Sequence, residues 1–147
     1  MTTLHAIPQG TTLDPNRGVD VYPAAITTGP DGALWFTDNA AIGRITTEGT
    51  IQQFPLTTPG ATPENITSGP DGTLWFTQQV TDANDDSTWS VGRITTDGAI
   101  TVYPLSAEAS VAGITQSRDG NLWFAENLTN VNTGVSTAAI GRITPKV

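Results

Sequence analysis

Asp31-Gly32-Ala33-Leu34-Trp35-Phe36 returns as Asp71-Gly72-Thr73-Leu74-Trp75-Phe76 and again as Asp119-Gly120-Asn121-Leu122-Trp123-Phe124. A second string recurs in step with it: Ile42-Gly43-Arg44-Ile45-Thr46, Val91-Gly92-Arg93-Ile94-Thr95 and Ile140-Gly141-Arg142-Ile143-Thr144. The first string repeats after 40 and 48 residues, the second after 49 and 49. Spacings of about 40–50 residues that hold several short strands are the mark of β-propeller blades.

Each unit divides into four strands at its turn residues. Strand a carries Ile26, Ile66 or Ile114 and ends at Gly-Pro-Asp-Gly, or at Ser117-Arg118-Asp119-Gly120 in the third copy, a tight-turn composition. Strand b is Leu-Trp-Phe, with bulk on both faces, as a sheet packed between two neighbours requires. Strand c is the Gly-Arg-Ile-Thr string. Strand d is Ile51-Gln52-Gln53-Phe54-Pro55, then Ile100-Thr101-Val102-Tyr103-Pro104. Proline at its end suits an outer, edge strand. The reading is one all-β domain over residues 1–147, with blades at about 24–56, 64–105 and 112–145.

The composition agrees. Twenty-six threonines, 15 glycines and 10 prolines favour strands and turns over helices. A net charge of −8, with one lysine and five arginines, repels a phosphate backbone and an anionic membrane surface, so neither is an expected partner. No segment approaches a transmembrane length. The absence of cysteine and of a basic, apolar leader at Met1 to His5 is compatible with a cytoplasmic location.

Leu4-His5-Ala6-Ile7-Pro8 aligns with the two d strands although no a, b or c precedes it. The strand order is therefore d, abcd, abcd, abc, with residues 3–8 as a closure strand. Three blades cannot close a ring, since each wedge between blades would open too far for side chains to fill. A homodimer of six blades is the expectation, with Leu4–Ile7 of one chain joining Ile140–Thr144 of the other in a symmetric exchange. A nine-bladed trimer and a segment of a longer ring are the rival readings.

The strings Gly-Pro-Asp-Gly-x-Leu-Trp-Phe-Thr and Ile-Gly-Arg-Ile-Thr-Thr-x-Gly resemble the blades of the streptogramin B lyase family, which linearises virginiamycin. The resemblance covers all three units, from about Ile26 to Thr144. It implies a seven-bladed propeller that opens a cyclic depsipeptide by magnesium-assisted elimination, with a histidine base and metal-binding acids where the inner strands begin. Here the position two before the strand-a isoleucine holds Ala24, Glu64 and Ala112. None is histidine, and the one histidine, His5, falls on an outer strand. Resemblance carries the fold, and fold does not fix function. The expectation is a non-catalytic binding or scaffold propeller with no cofactor. The alternative is a lyase using Mg²⁺ and carboxylates.

Length varies only in the d–a and b–c connections, which emerge on one face of a propeller. That loop face is the default place for a small molecule, glycan or peptide. Asp38, Gln78 and Glu126 follow the three b strands, and Glu64 and Asn65 open a strand a; together they are candidates for a polar ring around the channel. Trp89, at the end of the insertion in unit two, is a candidate aromatic platform. Asp82, Asn84 and Asp86 alternate like calcium-loop ligands, but Ser87 stands where the turn glycine belongs and no acidic residue closes the loop. Arg44, Arg93 and Arg142 repeat with the scaffold, which points to a structural bond with a neighbouring blade.

Overall fold

A computed structural model describes residues 2–7 and 23–145. They form three antiparallel sheets and no helix. Blade one comprises β1 (Ile26–Thr28), β2 (Leu34–Asp38), β3 (Ala41–Ile45) and β4 (Ile51–Pro55) in that order. Blade two comprises β5 (Ala61–Ser68), β6 (Leu74–Thr81), β7 (Ser87–Ile94) and β8 (Ile100–Pro104). Blade three holds β9 (Ala109–Gln116), β10 (Leu122–Thr129) and β11 (Ser136–Ile143), with β11 at its edge. The strands fall where the repeats place them, and the all-β blade architecture is as expected.

Alternate residues of a strand point to opposite faces, and this sorts the repeats into two surfaces. The forward face of blade one, with Trp35 and Ile42, packs on the rear face of blade two, with Ile66, Leu74, Phe76 and Ile94, in one buried cluster. Trp75 and Val91 on the forward face of blade two meet Leu122, Ile114 and Ile143 on the rear of blade three in the same way. The joint is thus built twice from equivalent positions. Phe54 stacks on Trp35 and Tyr103 on Trp75, each with ring centroids 5.5 Å apart.

Each strand-c glycine sits opposite the strand-b phenylalanine: Phe36 with Gly43, Phe76 with Gly92, Phe124 with Gly141. The ring lies over the bare backbone, so a Cβ there would stand only 2.1–2.2 Å from the ring's Cζ. The turn after strand a needs positive φ, and Gly32, Gly72 and Gly120 supply it at 77°, 71° and 81°.

Three features differ from the sequence reading. The b–c connections of units two and three are extended hairpins rather than long loops: β6 pairs with β7 out to Thr81–Ser87, and β10 with β11 out to Thr129–Ser136. Their Thr, Val and Ser residues keep the strand alternation going, and only 82–86 and 130–135 remain as turns. Strands β5 and β9 start earlier than 64 and 112, at Ala61 and Ala109, with register shifts between Pro63 and Ile66 and between Ala125 and Glu126. Residues 2–7 form no strand within the chain. The long connection expected from Pro8 to Ile26 lies largely outside the described residues, as does residue 8 of the closure strand.

Candidate functional site

Strand a of each blade lies next to strand a of the next, and polar bonds tie them. Ser68 Oγ donates to the carbonyl of Thr28, and Asn65 Nδ2 donates to the carbonyl of Ala112 at 2.6 Å. The buried Thr37 hydroxyl accepts from the Ala25 amide at 3.0 Å and lies 3.2 Å from the Glu64 carbonyl, to which it donates. Thr77 accepts from the Asn65 amide at 3.2 Å. These strand-b hydroxyls hold strand a, just ahead of Ile26 in blade one and at the bulge of β5 in blade two. They place Glu64, half-buried, at the bulge in the middle of the inner strand β5.

The sequence candidates do not converge as one ring. Asp38 is buried, accepting from the Asn39 amide and from Gln53 Nε2, both at 2.8 Å, so it links strand b to strand d. Gln78 holds the matching place in blade two and is fully buried, yet neither its amide oxygen nor its amide nitrogen has a partner; Ser90 Oγ, directly across the strand pair, has none either. The cause is one substitution: where blade one has Gln53 on strand d, opposite Gly43, blade two has Val102 opposite Gly92. Gln78→Leu is therefore expected to raise stability by about 1 kcal/mol, because an unsatisfied buried amide costs about 1–3 kcal/mol. Urea unfolding checks it; a loss of stability would mean that the amide is satisfied in solution. Glu126 is half-buried opposite Val111. Trp89 is half-buried on β7 opposite Gln79, and its carbonyl accepts from the Leu105 amide at 3.0 Å. Only Glu64 and Asn65 lie together at the inner strands.

The hairpin carrying Asp82, Asn84 and Asp86 uses its first carboxylate for the turn. Asp82 Oδ1 accepts from the amides of Asn84 at 2.8 Å and Asp86 at 3.0 Å, with Asp85 at φ 64° between them. His5 is exposed, its imidazole against Gly49 at the c–d turn of blade one.

The repeated arginines bond within their own blade, which corrects the neighbouring-blade expectation. Arg44 Nε donates to Asp31 Oδ2 at 2.6 Å and Arg93 Nε to Asp71 Oδ2 at 2.7 Å. The same aspartates accept from the indole of Trp35 at 2.9 Å and of Trp75 at 3.3 Å, and Asp71 also from Thr73 at 2.7 Å. Strand c pairs with strand b, so the a–b turn of the same sheet is the acid within reach. Partial burial pushes both carboxyls up, but the bonds from indole, guanidinium and, at Asp71, hydroxyl outweigh it and hold them below the ordinary carboxylate value. Asp and Arg recur together in all three copies, but only the first two copies pair them.

Blade three departs from the pattern. A Cβ at Gly29 or Gly69 would lie 2.3–2.4 Å from the tryptophan ring, and Ser117 occupies that place in blade three. Trp123 donates to Ser117 Oγ at 3.1 Å instead of to the aspartate. Asp119 takes the Ser117 hydroxyl and the backbone and side chain of Asn121, which lower its carboxyl to about 2. Arg142 lies 5.7 Å over Trp123 and has no carboxylate partner among the described residues.

Comparison with known proteins matches residues 8–146 to the virginiamycin B lyase family. The crystal structure of selenomethionine-substituted virginiamycin B lyase from Staphylococcus aureus is 37% identical, with a TM-score of 0.63, over 85% of this chain and 42% of that one. A streptogramin B lyase structure is 30% identical over 87% of this chain and 53% of that one, with a TM-score of 0.43. The chain therefore spans about half the length of these solved lyases or less. A search of curated proteins returned no match.

Proposed function

The chain belongs to the virginiamycin B lyase family, and from that membership we propose that it holds a cyclic peptide or depsipeptide on the loop face without opening it. The observation that carries the proposal is the set Ala24, Glu64 and Ala112, each two residues before the repeated isoleucine of an inner strand. Elimination needs a group that takes a proton near neutral pH. Two methyl groups cannot, and the single imidazole, His5, lies against the c–d turn of blade one. Among the described residues no three acidic or histidine side chains come together to share a divalent ion.

Glu64 favours a second reading, a lyase whose base is a carboxylate. Calorimetric titration with a streptogramin B-type depsipeptide, followed by chromatography of the mixture, separates the two. Binding without ring opening is expected, weakened about fivefold in Glu64→Gln, the scale of an exposed charged contact. Magnesium-dependent opening that falls by about 10²–10⁴-fold in Glu64→Gln would overturn the proposal, since that is what loss of a general base costs.

A further inference from the structure

The joint between blades is made twice inside the chain, and among the described residues both of its halves are also presented, unpaired, at the two ends of the stack. Ile140 is 66% exposed on the forward face of blade three, whereas Ile42 and Val91 at the same repeat position are fully buried by the next blade. Leu34 is 43% exposed on the rear of blade one, whereas Leu74 and Leu122 are fully buried. Ile26 is 62% exposed against 7% for Ile66. The forward face of blade three also carries an apolar hollow of about 360 Å³ lined in part by Gly113, Thr115, Trp123, Ala125 and Ile140. Large exposed apolar patches of this kind mark association surfaces.

We propose that a second copy of this chain fills both faces, head to tail, closing a ring of two copies. Within the chain, Ile42 and Leu74 share one buried cluster, and Val91 and Leu122 share the next. Ile140 of one copy and Leu34 of the other are the third instance of that pair. A second copy brings the matching face in the matching register, which an unrelated partner would have to imitate. Residues 2–7 support the same geometry. Gly98, at the c–d turn of blade two, lies against Phe54 from strand d of blade one. Gly49, at the c–d turn of blade one, lies against His5. His5 aligns with Gln52 and not with Phe54, so residues 2–7 run near the path of a preceding blade's strand d, two residues out of its register. In the ring that preceding blade is blade three of the other copy, whose β11 edge is unpaired among the described residues. The proposal is independent of what the loop face binds.

Sedimentation equilibrium of the full chain at tens of micromolar tests it. The expected mass is twice that of the 15.4 kDa chain. Ile140→Arg and Leu34→Arg should each run as single copies, with the dissociation constant raised about a hundredfold, because a large side chain at the centre of a packed interface carries much of its affinity. Both positions are exposed in the single chain, so circular dichroism should show an intact fold. Mixing the two variants should restore a two-copy species, because one of its two joints then has both native faces. A wild-type chain that stays single would overturn the proposal, the faces then belonging to further blades of a longer chain. A three-copy mass would overturn it too, as would an arginine variant that still pairs as well as the wild type.

Discussion

Gly92→Ala is expected to destabilise the protein by about 3 kcal/mol, the upper part of the range for an overpacked core. The added methyl would stand 2.1 Å from Cζ of Phe76, and both neighbouring ring carbons lie within 2.6 Å. Phe76 is fully buried, with blade one on its other side, so the ring has no room to retreat. Gly113→Ala is the internal control: no atom lies within 4 Å of its Cβ position, and the equivalent residue in blade one is Ala25. That change should stay within about 0.5 kcal/mol of neutral. Urea midpoints of the two variants give the comparison directly, and equal midpoints would refute the role assigned to the Phe–Gly pairs.

Asp71→Asn should be the next most damaging change, at about 1.5–3 kcal/mol, the scale of hydrogen bonds to a charged group. The carboxylate joins the indole of Trp75, the hydroxyl of Thr73 and the guanidinium of Arg93 around one turn, and its side chain is nearly buried. Asparagine keeps the shape but cannot answer Arg93 with charge. The pH dependence follows from the lowered carboxyl. A group whose folded pKa is depressed contributes fully above its unfolded value of about 3.9 and loses that contribution as pH falls through the lower folded value. Stability of the wild type should therefore drop more steeply below pH 4 than that of Asp71→Asn, and the two curves should converge in acid. Parallel curves would show that Asp71 is not held ionised by these bonds.

The propeller repeat was legible because Leu-Trp-Phe and Gly-Arg-Ile-Thr each carry both a strand face and a joint face, so fold and repeat are the same signal. Other features were hidden for identifiable reasons. The polar run from Thr81 to Ser87 reads as a loop by composition, yet its flanks alternate as a strand pair and only Asp82 to Asp86 turn. Pro63 masks the first part of β5, where a register shift accommodates it. The buried Asp38 looked like a channel residue until the cross-strand register brought Gln53 to it. Gln78 needed the same register to show that Val102 had removed its partner. The candidate site was legible only where a repeat position changes chemistry, at Ala24, Glu64 and Ala112, since that contrast can be seen without coordinates.

A ring of two copies requires that the two open faces be halves of one joint. The chain has no cysteine, so a single Ile140→Cys variant and a single Leu34→Cys variant can be mixed and treated with a short bis-maleimide without background. The mixture should yield a covalent species of two chains that joins one variant to the other, while each variant alone yields far less. Equal or negligible linking in all three samples would contradict the account.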